Sequence, residues 1–382
     1  MKILHTSDWH LGKFVSVQSM IDEQRYFIEH IFLKALDERH PDVIVLAGDI
    51  YDRSIAPIAA ISLFETTLYE VARREIPLIA VSGNHDSAER IIPAAKLMRK
   101  SGIYLANSMD DFFAPIDITA ADGSRARFFP LPYFDLSEAK HYIGRDELKN
   151  VNEAYAALFE MNRDNLSSDC PNLLITHCTV TGSITCESES QISVGGAQQI
   201  SSDLFERFDF TCLGHIHSPQ KAGKKAYYSG SPLRYSFDAN ERDKSMLLID
   251  TENDMAIEKI PIVPRREMRT ITGSFEELLS VDNHCSEDYI FAAVNDDHLI
   301  YEPMAQLREK YPNILGLSQA YLGRAFDGQS DRSELREKMA NHSISDEEIM
   351  ISFLRDLCKT EPSEADIALF NQINAAMGED EN

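Results

Sequence analysis

Positive charge, cysteine and long apolar runs are what this 382-residue chain has little of. Its 37 Lys and Arg stand against 62 Asp and Glu, a formal net charge of −25. That balance repels nucleic acid at long range, so any action on DNA has to draw on bound metals, a local basic track or a partner. The six cysteines show neither CxxC spacing nor a dense framework, which excludes a disulfide scaffold and a thiolate zinc site. No charged-then-apolar leader precedes the first strand at Met1, and a reducing cytoplasm is the expected compartment. No apolar stretch approaches the roughly 20 residues that span a bilayer, so membrane insertion is not expected. The G-x-x-x-x-G-K-[ST] phosphate loop is missing as well, so ATP binding is not expected of this chain.

What is present reads as a soluble α/β protein. From Met1 to about Pro130, apolar runs of strand length alternate with helical patterns such as Ile21–Leu36 and Ile58–Ala72, a βαβ rhythm. A helical stretch near Val151–Met161 leads into the strand Leu173–Ile175. A long polar segment follows, Thr181–Ser202 with Gly195-Gly196, which is either a functional loop or a surface excursion. Near Pro261–Arg269 the pattern changes, and Asp288–Val294 with Leu299–Lys310 reads as strand then helix. From Asp331 onward thirteen acidic residues face five basic ones. Two capped amphipathic helices are expected there, one carrying Phe353, Leu354 and Leu357, the other Ile367, Phe370 and Ile373. The expected organisation is a catalytic domain over 1–265, a small α/β cap over 266–330 and an acidic helical tail over 331–382.

Five short blocks carry the chemistry: Asp8-Trp9-His10, Gly48-Asp49, Gly83-Asn84-His85-Asp86, His177 and Gly214-His215-Ile216-His217. Each follows an apolar run, and only a sheet with its strand ends on one rim can unite residues so far apart. Carboxylate, imidazole and amide oxygen in one thiolate-free set suit hard or borderline divalent ions. A carboxylate such as Asp49 can bridge two ions, which two-metal sites hold roughly 3.5–4 Å apart, a separation that fits one phosphate group. Two such ions carry four positive charges against two negative ones from Asp8 and Asp49, so the site attracts an anionic ester. Taken singly, each block has a plainer reading: Asp49 as a helix N-cap, or His215 and His217 as an ordinary histidine pair. In combination they point to a two-metal hydrolase, with Asn84 as a ligand, His85 for acid chemistry and Asp86 to orient His85 or its loop.

This constellation resembles the calcineurin-like metallophosphoesterase superfamily, whose D-x-H, GD, GNH(D/E), H and GHxH blocks are all matched. The stretches His5–Gly12, Gly48–Ser54, Ser82–Ser87 and Tyr228–Phe237 resemble more closely the SbcD family of bacterial nuclease subunits. The resemblance implies a four-layer α/β/β/α sandwich. It implies that Asp8, His10, Asp49 and His217 hold one ion and that Asp49, Asn84, His177 and His215 hold the other, with manganese as the metal. It further implies phosphodiester hydrolysis of duplex DNA ends and hairpins in DNA repair, recombination and replication. The partner implied is an SbcC-like ABC-type coiled-coil ATPase, with the chain as a homodimer inside a heterotetramer. One position departs from archaeal relatives, which carry histidine where this chain has Asp52, so a histidine role there is not transferred.

Two further expectations concern binding surfaces. No acidic residue occurs between Phe210 and Phe237, where Lys221, Lys224, Lys225 and Arg234 lie, with Arg265, Arg266 and Arg269 soon after. This reads either as a DNA track or as a solvated strand-turn-strand. The tail stripes read either as a docking surface for the ATPase or as helices folded back on their own domain. A competing function with the same metals is hydrolysis of a small phosphodiester or phosphomonoester, against which stands the long extension after Arg265. A non-catalytic scaffold is disfavoured because every expected ligand is present.

Overall fold

Val43–Ala47 and Leu78–Val81 are apolar at every position, as strands covered on both faces must be, and both are buried throughout. A computed structural model describes residues 1–86, 95–189, 198–241, 243–280, 287–298, 300–320, 351, 363 and 366–371. The chain divides into two compact units, Met1–Met268 and Arg269–Asn382.

The first unit holds two six-stranded sheets. In one, the order is Ala256–Pro261, Ser245–Asp250, Lys2–Thr6, Val43–Ala47, Leu78–Val81, Ile103–Ala106, and the last four strands run parallel. In the other, Ala226–Tyr228, Phe210–Gly214, Asn172–His177 and Arg125–Leu131 run parallel between antiparallel edges at Gln220–Lys221 and Ile116–Thr119. Alternate residues of the two sheets meet in one core: Ile3, Val43, Val45 and Ile79 from the first, Phe128, Leu173, Ile175 and Phe210 from the second. The outer face of the second sheet, with Phe129, Leu174 and Leu213, is covered by helices Leu136–Ile143 and Val151–Met161 through Ala139, Ala154, Tyr155 and Phe159. On the far side of the first sheet Trp9 packs edge-on against Phe27, Phe32 and Phe64 from the helices there. Helix, sheet, sheet and helix thus stack in four layers.

The expected helix Ile21–Leu36 is present but interrupted. A π-helical turn, Ile28–Phe32, separates Ile21–Phe27 from Leu33–Arg39, and Phe27 just before it and Phe32 at its end both reach Trp9. The polar segment after His177 is closed by short strands Thr179–Val180 and Gln199–Ile200, paired in parallel. Gly195-Gly196 lie outside the described residues.

The second unit has a three-stranded sheet, Met268–Gly273, Tyr289–Val294 and Ile314–Gln319, with helices Phe275–Ser280 and Pro303–Lys310. Leu278, Ile290, Ala292, Leu307 and Tyr311 form its core. Of the tail, Phe353, Leu354, Leu357 and Ile373 lie outside the described residues, as does the first expected cap at Ser345. The second cap is visible: the Ser363 amide donates to Asp366 and the Asp366 amide to the Ser363 hydroxyl, ahead of the helical residues 366–371 with half-buried Ile367 and Phe370. Among the described residues no helix is long and apolar enough to cross a membrane.

Candidate metal centre

Parallel strands put their C-terminal ends on one edge, and in each sheet those ends carry the predicted residues. Asp8 and His10 follow Lys2–Thr6, Asp49 follows Val43–Ala47, Asn84 follows Leu78–Val81, His177 ends Asn172–His177, and His215 and His217 follow Phe210–Gly214. The backbone there leaves ordinary strand geometry, with φ of 54° at Asp8, 45° at His10, 49° at Asp49 and 101° at His215. Left-handed conformations at four non-glycine residues cost stability and persist only where the surroundings fix them. Here the Asp8 amide donates to the Gly48 carbonyl (3.0 Å) and the His10 amide to the Asp49 carbonyl (2.9 Å). Two glycines let the rims close: a Cβ on Gly83 would collide with Asp49, and one on Gly214 with the Ala47 carbonyl of the other sheet.

All seven predicted ligands converge. His10 Nε2 lies 3.0 Å from His217 Nε2 and 3.4 Å from Asp49 Oδ2. His177 Nε2 lies 3.4 Å from the same Asp49 oxygen and 3.0 Å from Asn84 Oδ1, which also lies 3.0 Å from His215 Nδ1. Asp8 groups with His10 and His217 on one side and with Asp49 and His177 on the other. The His177 Nδ1–H donates to the Ala47 carbonyl at 2.9 Å, which leaves Nε2 with a lone pair aimed at a carboxylate and an amide oxygen. Lone pairs converging on acceptors repel unless a cation or a proton lies between them. The donor set therefore fits divalent ions.

Electrostatics gives the same answer without an ion. Burial pushes the Asp8 carboxyl up to about 7, with Asp49 adding to it. Burial drives His10 and His215 down to about 3. For His177 burial opposes protonation, but Asp49 and Asp8 outweigh it and lift the imidazole to about 9. A proton on His177 stands in for positive charge that the cluster otherwise lacks.

Residues around the ligands fix their orientation, and several were not anticipated. Asp86, counted with His85 in the catalytic set and expected to orient it or its loop, spends both carboxylate oxygens on backbone amides: Oδ2 accepts from Gly83 and Ile50, and Oδ1 from Tyr51. That fastens its loop to the one behind Asp49, so Asp86 is a positioning residue. His85 donates its backbone amide to Asp49 Oδ1 (3.0 Å) and its ring Nδ1–H to the Asp52 carbonyl (2.8 Å), while its ring stacks edge-on against His10. Asp52 pairs with Lys13 at 2.8 Å and more loosely with Arg53 at 3.5 Å. Tyr235 stands edge-on to both His10 and His217 and donates to the Trp9 carbonyl. Buried Lys244 joins Glu241 and the His217 carbonyl, each at 2.8 Å. Ser188 and Glu189, from the polar segment, meet His217.

Two lysines of the basic stretch lie away from this centre. Lys224 and Lys225 precede Ala226–Tyr228, which runs parallel to Phe210–Gly214, so they sit at the opposite end of the sheet from the metal cluster. Lys224 pairs with Glu206, Lys225 approaches the Phe208 carbonyl, Lys221 lies over Tyr227 and Arg234 faces Asp243. Arg265 and Arg266 pair with Glu23, and Arg269 with Asp288.

Comparison with known proteins agrees with this geometry. The model of the calcineurin-like phosphoesterases matches residues 1–219, and that of the type 5 capsule protein repressor C-terminal domain matches 264–356. The SbcD subunit of the nuclease SbcCD from Staphylococcus epidermidis is 31% identical over 365 residues, covering 94% of this chain and 93% of that one. Its counterpart from Staphylococcus saprophyticus is 30% identical over 363 residues, with the same coverage. The chain belongs to the SbcD family of calcineurin-like phosphoesterases. It is a metal-dependent phosphodiesterase of the nuclease class, and divalent metals are its cofactors.

A pH dependence of metal binding arises from the raised pKa values of Asp8 and His177. At neutral pH in the ion-free protein Asp8 is partly protonated and His177 largely so, and both must lose those protons to ligate. Divalent-metal affinity should therefore rise with pH through about 7 and on toward about 9. Calorimetry in two buffers of different ionisation enthalpy should show protons released on binding at neutral pH. Binding without proton release would contradict the raised pKa values of both groups.

Proposed function

We propose that this chain is the nuclease subunit of a complex with an SbcC-like ABC-type ATPase, and that it hydrolyses phosphodiester bonds at duplex DNA ends and in hairpins. The observation that carries this reading is Asp49 Oδ2, 3.4 Å from both His10 Nε2 and His177 Nε2, where one carboxylate can serve two ions. Asp8, His10, Asp49 and His217 would hold one ion, and Asp49, Asn84, His177 and His215 the other. Manganese is the metal the family resemblance implies, and this mixed oxygen and imidazole set is compatible with it. When bound, the ions supply positive charge and Lewis acidity against the charge that develops at phosphorus. With two carboxylates among the ligands the loaded centre stays cationic, which offsets the −25 charge of the chain where substrate has to approach.

His85 has the geometry of a general acid. Its Nδ1–H is committed to the Asp52 carbonyl, an oxygen that can only accept, so a second proton has to sit on Nε2. From there it can be passed to the leaving oxygen. The phosphate loop is absent from this sequence, so ATP hydrolysis belongs to the partner. The curated relatives carry the complex in their names.

The test is Mn²⁺-dependent cleavage of hairpin DNA beside bis-p-nitrophenyl phosphate, with the chain alone and with the co-expressed ATPase. The His85→Ala variant should lose roughly 10²–10⁴-fold in turnover while binding two ions as before. Cleavage of the small diester alone, under every condition, would point to a small-molecule esterase.

Self-association is part of the proposal. Ile55, Ile58, Ile61 and Tyr69, the last three on helix Ile58–Arg73, are 66%, 83%, 46% and 65% exposed, an apolar stripe that a helix otherwise turns inward. A second copy of the chain would cover it. The double change Ile58→Asp, Ile61→Asp should convert a dimer to a monomer in sedimentation and leave hydrolysis of the small diester intact. A wild-type chain that sediments as a monomer would contradict the proposal.

A further inference from the structure

Three histidines near the centre have a ring nitrogen held from behind, and they are held differently. His177 Nδ1 donates to the Ala47 carbonyl and His85 Nδ1 to the Asp52 carbonyl, both backbone oxygens that no substitution removes. His217 Nδ1 instead meets a side chain, the Ser188 hydroxyl, at 2.7 Å. The neighbouring Glu189 is 8% exposed, and its carboxylate spans two amides: Oε1 accepts from His217 (2.7 Å) and Oε2 from Cys186 (3.0 Å). Burying a carboxylate is costly unless its oxygens are hydrogen-bonded, and one of the bonds that satisfies it here fixes the backbone of His217.

The segment around these residues is fastened along its length. The Ile184 amide donates to Gln220, whose own amide returns a bond to the Ile184 carbonyl. Cys186 Sγ lies 3.2 Å from the Ser218 hydroxyl, and the Glu187 amide donates to Asp238. Ser218 directly follows His217 and Gln220 opens the next strand, so the segment lies along the chain that carries His217.

We infer that Ile184–Glu189 is a positioning strap for His217, in which Ser188 selects the ring tautomer and Glu189 fixes the backbone. This rests on the reading of His217 as a metal ligand. A ligand Nε2 needs its lone pair free, so the ring proton belongs on Nδ1, where Ser188 Oγ accepts it. With the ring so held, Nε2 faces His10 Nε2 at 3.0 Å. Without the hydroxyl the ring can turn or exchange tautomers, and the ion shared with Asp8 and His10 loses one donor. The ion beside Asn84, His177 and His215 keeps all of its own.

The experiment uses the full chain, with Mn²⁺ titrated by calorimetry and the His217 ring nitrogens followed by ¹⁵N NMR in the ion-free protein. Ser188→Ala should weaken one of two Mn²⁺ ions by about 10–100-fold, the usual effect of losing such a support, and leave the other unchanged. The ¹⁵N shifts should move from a single tautomer to a mixture, and Ser188→Thr, which keeps the hydroxyl, should restore both readouts. His217→Ala is the control and should bind a single ion. If it does so while Ser188→Ala matches wild type in affinity and ring shifts, the strap is overturned. Equal weakening of both ions by Ser188→Ala, or no rescue by threonine, overturns it as well. Two tight ions in His217→Ala would instead overturn the ligand assignment beneath it.

Discussion

A single carboxylate oxygen within 3.4 Å of two imidazole nitrogens from different sheets is the contact on which the rest of this structure depends. Asp49 stands at the end of a strand in the first sheet, beside His10 of that sheet and His177 of the second. For the rims to meet there, glycine has to stand at Gly83 and Gly214, and Asp8, His10, Asp49 and His215 have to adopt left-handed backbone. Such strain is held by cross-loop hydrogen bonds and offset by the two-sheet core behind it. Held in this way, the cluster presents lone pairs and carboxylates to one another, an arrangement that cations between them would stabilise.

Much of this was legible in the sequence because parallel α/β folds obey a simple geometric rule. A buried parallel strand is apolar throughout, and the residues just after it land on a common rim. Val43–Ala47 followed by Gly48-Asp49 says as much without a structure. The helix Val151–Met161 was equally plain, with apolar periodicity behind Asn150, whose side chain caps it. The ligand blocks were readable because metal chemistry restricts the residue types allowed.

The supports were not readable, for a physical reason. Ser188 and Glu189 act through single hydrogen bonds to a loop 29 and 28 residues away in sequence, and serine and glutamate in a polar stretch are unremarkable by composition. That Asp86 orients its loop was legible, but the amides it holds, those of Gly83, Ile50 and Tyr51, were not, because two of them lie on a loop 35 and 36 residues away in sequence. For the basic stretch, which the sequence leaves open between a DNA track and a solvated strand-turn-strand, linear proximity says little about placement. Lys224 and Lys225 are close to His217 in the chain, but the strand order carries them to the far end of the sheet. Surface cations in so acidic a protein also find partners, as Lys224 does with Glu206 and Arg269 with Asp288.

The central claim is that two cations share Asp49. Anomalous diffraction at the manganese edge, on crystals of the full chain soaked in Mn²⁺, tests it most directly. The account predicts two peaks about 3.5–4 Å apart on either side of the Asp49 carboxylate, one toward His10 and His217, the other toward Asn84, His177 and His215. A single peak, or two peaks of which one lies away from Asp49, would contradict it.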